Sequence, residues 1–208
     1  MRHTYSLFLV GALLIATAAR AQEFDAKKYV PVYTLPAPEG WGIERIAFPI
    51  EFAPSIPYKG VEDLRFTPGW GFADNKEYWS YTFLWYLDGK PEITPEAEEK
   101  NLAAYYTGLI GRNIEQRKIP QEKLFPVKVT MKKVSVEKGD LHTYSGTIEM
   151  LDYMAQKPIM LNCIVHVRIC PGKDNTFVFH QISPKPMADD VWKAFGKLWT
   201  GFDCDKKK

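Results

Sequence analysis

The sequence predicts an α+β fold, an antiparallel β-sheet of about six to seven strands flanked by two helices. Three observations predict it. Hydrophobic periodicities run in the order strands, helix, four strands, helix. The last four strand segments are joined by links of hairpin length, which favours an antiparallel meander. Both helical segments carry one apolar stripe, and each stripe must be buried against something, most simply the sheet.

The elements follow in chain order. Residues 22–60 are rich in proline (Pro31, Pro36, Pro38, Pro49, Pro54, Pro57). Proline cannot donate to a β-ladder, so this segment reads as irregular backbone packed on the domain, with a short edge strand in GIERIAFPIEF. VEDLRFTPGW offers a second strand, ended by the Pro68-Gly69 turn signal. The stretch EYWSYTFLWYLDG (77–89) reads as a central strand. Its odd positions (Trp79, Tyr81, Phe83, Trp85, Leu87) form a dry face, and its even positions (Tyr78, Ser80, Thr82, Leu84, Tyr86) a mixed one. A helix then starts at Thr94 as N-cap with Pro95 at its first position. Glu96, Glu98 and Glu99 suit the positive end of its dipole. Leu102, Tyr105, Tyr106, Leu109 and Ile110 form its apolar stripe, and Ile119-Pro120 stops it. Four strand segments follow within residues 124–183. The last helix carries Val191, Trp192, Phe195, Leu198, Trp199 and Phe202 at helical spacing, a stripe expected to be core.

The N-terminus has a different character. A basic head (Arg2, His3), an apolar run from Leu7 to Ala18 and Ala19-Arg20-Ala21 give the form of a secretory signal peptide cleaved near Ala21. The run is too short to span ~30 Å of hydrocarbon, so no transmembrane anchor is expected. Export to the periplasm or the extracellular space follows. The full chain holds 27 Lys+Arg and 25 Asp+Glu. Removal of Arg2 and Arg20 brings the formal charge to zero, with a basic tail at residues 205–208. A neutral chain lacks the basic footprint that phosphate binding requires, so nucleic acid is not an expected partner. One domain is expected over residues 61–204.

Export also bears on Cys163, Cys170 and Cys204. Cys163 and Cys170 are seven apart and point to opposite sides of one strand. Cys204 follows the last helix and can reach either; Cys170, at a strand end, is the preferred partner, and three unpaired thiols are the alternative.

The order of elements resembles the PsbP-like fold, an antiparallel sheet flanked by helices. NTFVFHQIS followed by VWKAFGKLWTGF, and the early Gly40-Trp41, carry the resemblance across roughly residues 40–203. The phrase GWGIERIAFPIEFAPSIPYKGVEDLRF also resembles uncharacterised exported bacterial proteins. Neither resemblance implies a single chemistry or a catalytic residue.

Chemistry is sparse. No nucleophile elbow, Ser-x-x-Lys, His-Glu-x-x-His or Gly-rich phosphate loop is present, so no cofactor is indicated. If Cys170 and Thr176 close the PGKDN turn as opposite residues, His166 falls opposite His180, with Cβ atoms ~5 Å apart. Such a pair could respond to pH or share a metal, although Arg168 beside it disfavours a cation. Glu62, Asp63, Glu149 and Asp152 are expected at a solvated surface, with Glu62 and Asp63 on opposite faces. Trp70, Tyr78 and Tyr86 are candidates for stacking a ligand, because their rings combine an apolar body with a polar tip. The expected function is a binding or interaction module for a protein or small molecule. The alternative is a hydrolase or metal-binding protein using the His166/His180 face.

Overall fold

The computed structural model describes residues 24–206. The signal-peptide segment lies outside the described residues. Seven strands form one antiparallel sheet: β1 (Gly42–Ala47), β2 (Gly60–Phe66), β3 (Tyr81–Asp88), β4 (Lys128–Lys133), β5 (His142–Asp152), β6 (Lys157–Ile169) and β7 (Asn175–Ser183). Their spatial order is β1-β2-β3-β7-β6-β5-β4. Two meanders thus run inward from opposite edges and meet where β3 pairs with β7. The predicted α+β class and the antiparallel pairing both hold.

Helix α1 (Pro95–Gly111) covers one face of the sheet. Thr94 caps it, its Oγ1 accepting the Ala97 N–H at 3.1 Å. The predicted stripe residues Leu102, Tyr105, Tyr106 and Ile110 are buried. The helix does not run unbroken to Ile119. It stops at Gly111, and a single turn, α2 (Ile114–Arg117), follows. Lys118, in the left-handed conformation at φ 51°, caps that turn and ends the helical path.

Helix α3 (Asp190–Thr200) covers the other face. Its stripe is buried as expected, with Trp199 stacked on Phe179 at 5.1 Å and on Phe202 at 4.8 Å. The proline-rich segment completes this layer. Tyr33 and Leu35 are buried there, and Tyr33 packs on Phe177 and Phe202. The segment also supplies β1, so it is part of the sheet as well as packed on it. Cys170 is bonded to Cys204 with Cα atoms 5.9 Å apart, tying the end of β6 to the chain just past α3. Cys163 is free and buried.

Two expectations fail. Glu62, Asp63 and Asp152 are not solvated; all three are completely buried. The reason is that both faces of β2 are covered, one by α1 and one by Tyr33 and Leu35. The β6–β7 register is also one residue different from that predicted. Ile169, not Cys170, pairs with Thr176, because Cys170 leaves the ladder where it bonds to Cys204.

Candidate functional site

The site begins with the connection between β2 and β3. Thr67 Oγ1 donates to the Ser80 carbonyl at 2.8 Å and Trp79 N–H to the Trp70 carbonyl at 2.9 Å. Glu77 accepts the Gly69 N–H at 3.0 Å. These bonds fold residues 67–80 back on themselves and stack Trp70 against Phe66 at 4.5 Å. Trp79 closes the loop with φ at 55°. For a bulky residue this is a strained conformation, held only where surrounding structure imposes it. It also breaks the alternation read from the sequence: β3 starts at Tyr81, and Tyr78 is not part of it.

Between this loop, the β1–β2 edge and the end of α1 lies a cleft of about 90 Å³. Its walls are Phe66, Trp70, Trp79, Tyr81, Tyr105 and Tyr153, with Phe52 and Leu109 from two further elements. Gly108 sets the position of Phe52. A Cβ at residue 108 would lie 1.7 Å from the Phe52 carbonyl oxygen, so only glycine lets that segment rest on α1. Trp79 is buried, and its indole N–H has no hydrogen-bond partner. The Tyr78 hydroxyl is near enough to feel it but lies outside hydrogen-bond geometry.

Behind the walls burial disfavours charge on Glu62, Tyr81 and Tyr106. Burial pushes the Glu62 carboxyl up to about 8, against hydrogen bonds from Trp85 Nε1 at 3.1 Å and Tyr105 Oη at 3.4 Å that pull it down. Tyr81 and Tyr106 share a 2.6 Å hydroxyl bond, and burial raises both phenols well above their ordinary value. Two charges stand at the rim, Glu44 from β1 and Arg112 at the end of α1. Arg112 lies over the Phe52 ring at 5.2 Å. Among the described residues neither group has an ion-pair or hydrogen-bond partner, and they do not bridge each other.

The other candidates lie elsewhere. Tyr78 Oη donates to both Asp152 oxygens, at 2.8 and 3.0 Å, and so clips the loop to the β5–β6 turn. Asp152 also accepts the Met154 and Ala155 N–H groups. Tyr86 is on the α3 face, in contact with Tyr33 and Phe177, each at 5.2 Å. Of the three stacking candidates, only Trp70 reaches the cleft.

The two histidines are not partners. His166 pairs with Phe179 and His180 with Val165, so the imidazoles occupy opposite faces. His180 is fully buried under α1, stacked on Phe83 at 4.2 Å, with its Nε2 2.8 Å from Glu98 Oε2. Its Nδ1 and Glu98 Oε1 lack partners. His166 lies under α3, its Nδ1 2.7 Å from Asp140 Oδ2 and its Nε2 3.1 Å from the Gln181 amide. Asp140 accepts in addition from Arg168, Trp199 and Thr143. Burial alone would raise its carboxyl; the bond and charge of His166, with Trp199 and Arg168, outweigh that and hold it below its usual range. Glu137, Asp140 and His166 bring ligand atoms within 4.8 Å of one another. They do not suit a cation: Asp140 is already occupied by donors, and the Arg168 guanidinium sits 3.0 Å from it. Neither histidine lines the aromatic cleft.

Comparison of the chain with family models, with curated proteins and with solved structures finds no match.

Proposed function

We propose that this chain is an exported binding protein that takes an apolar group of a small ligand into the Trp70–Trp79–Tyr81 cleft. The observation that carries this reading is Trp79: a buried, bulky residue in a left-handed conformation, with an unpartnered N–H, in the wall of an aromatic cleft. Strain of this kind concentrates at ligand-holding positions, and concave aromatic pockets with few polar groups are the usual form of a small-molecule site. The leader-like residues 1–21 and the Cys170–Cys204 bond support export to an oxidising compartment. The three-layer arrangement, with a Trp-bearing last helix, supports a PsbP-like sandwich as the scaffold. The hydrolase or metal alternative drew on two adjacent imidazoles, and these lie on opposite sides of the sheet.

Titration of the leaderless chain with isoamyl alcohol and isobutanol, both small enough for the cleft, followed by tryptophan emission, tests the reading. Saturable binding is expected, weakened about tenfold in Trp70→Ala, or roughly 1.4 kcal/mol. Unchanged emission with both probes overturns it.

A further inference from the structure

We infer that the ligand of the cleft is a free α-amino acid with a branched aliphatic side chain; this rests on the binding role proposed above and names its chemical class. Three features carry it. The first is size. An apolar cavity of about 150 Å³ accommodates benzene, so the 90 Å³ cleft takes a smaller group, such as the isobutyl chain of leucine. The second is lining. Phe66, Trp70, Trp79 and Tyr81 line the cleft with aromatic rings and no charge.

The third is the rim. Glu44 and Arg112 carry opposite charges on different elements at the mouth of one cleft, yet they do not pair with each other or with any described residue. Opposite charges that face one opening and stay apart leave room for a zwitterion between them. Arg112 presents a planar fork of donors suited to a carboxylate, and its guanidinium lies over the Phe52 ring, which leaves the N–H edge of the fork open. Glu44 accepts from an ammonium group. An α-amino acid places these two charges one carbon apart at the head of an apolar side chain, so it satisfies rim and walls together. A carboxylate or an amine alone leaves one rim charge unanswered.

Calorimetric titration of the leaderless chain with L-leucine, isovalerate, isoamylamine and isoamyl alcohol separates the possibilities. The four probes share one branched chain and differ in head group. L-Leucine is expected to bind at least tenfold more tightly than each of the others. Arg112→Met and Glu44→Gln, both at exposed positions, should each remove most of the advantage of L-leucine over isoamyl alcohol. If leucine binds no better than isoamyl alcohol, or if both variants bind leucine as the parent does, the amino-acid inference fails and the apolar cleft stands. If none of the four binds, both readings fail.

Discussion

Glu62 and Asp63 are neighbours in β2, both wholly buried, and the sheet sends them into opposite layers. On the α1 face Glu62 meets an indole N–H, a phenol and no cation, and burial holds its carboxyl up at about 8. On the α3 face Asp63 meets Arg65, which donates to both of its oxygens, as well as Arg45 at 3.1 Å and the Tyr33 hydroxyl. Asp140 repeats that pattern with Arg168 in the same layer. Glu62 is therefore accommodated by keeping its proton and Asp63 by a guanidinium, while Glu98, also buried on the α1 face, has His180 beside it at 2.8 Å. The lesson is that burial does not fix the charge state of an acid; the partners on its own side of the sheet do. The aromatic cleft opens on the Glu62 side of the sheet, where its walls carry no charge.

The sharpest way to break this contrast is Asp63→Ala. It strands Arg65, which is only 2% exposed, and is expected to destabilise the fold by about 3–5 kcal/mol in urea titration. A loss below 1 kcal/mol would show that the backbone carbonyls of Pro36, Leu35 and Leu64 suffice for that guanidinium. Removing the Cys170–Cys204 bond by Cys204→Ser is next. Closing a loop across a separation of 34 residues is worth about 3–4 kcal/mol on the chain-entropy scale, measurable by the same titration with and without reductant. The smallest effect is Glu62→Gln at about pH 4.5, within about 1 kcal/mol, because there the amide replaces a carboxyl that holds its proton at little cost. Its signature lies in pH dependence. The native carboxyl binds a proton that the unfolded one releases above its ordinary 4.5, so stability falls as pH rises from about 4.5 towards 8. Thermal melts across that interval should show the parent losing on the order of a few kcal/mol from this group and Glu62→Gln lacking that component. Identical slopes would place a charged carboxylate at residue 62.

Much of the fold is legible because it is written locally. The start of α1 needs only Thr94-Pro95 and the acidic first turn, and the α3 stripe needs only its spacing. The dry face of β3 is given by period-two alternation from Tyr81 onward. What eludes the sequence is set by distant residues. The β6–β7 register shifts by one because Cys170 is drawn to Cys204, and that single step separates the two histidines. The second core around Tyr86 depends on Tyr33, more than fifty positions earlier in the chain. The cleft is the least legible part. Trp70 is visible as an exposed-type aromatic, but Glu44, Phe52, Arg112 and Tyr153 come from four separate segments, with no shared pattern to link them. The left-handed turn at Trp79 has no signal either, since a glycine or asparagine would normally mark it.

Among the described residues β4 is an edge of the sheet, and its Met131 N–H is taken at 2.8 Å by Glu99 of α1 instead of by another strand. A bare rim of amides is a template on which further copies can stack into fibrils. Helix α1 therefore does more than roof the core: one of its carboxylates occupies an amide of that rim, and Glu99→Ala would leave that N–H open to a strand from elsewhere.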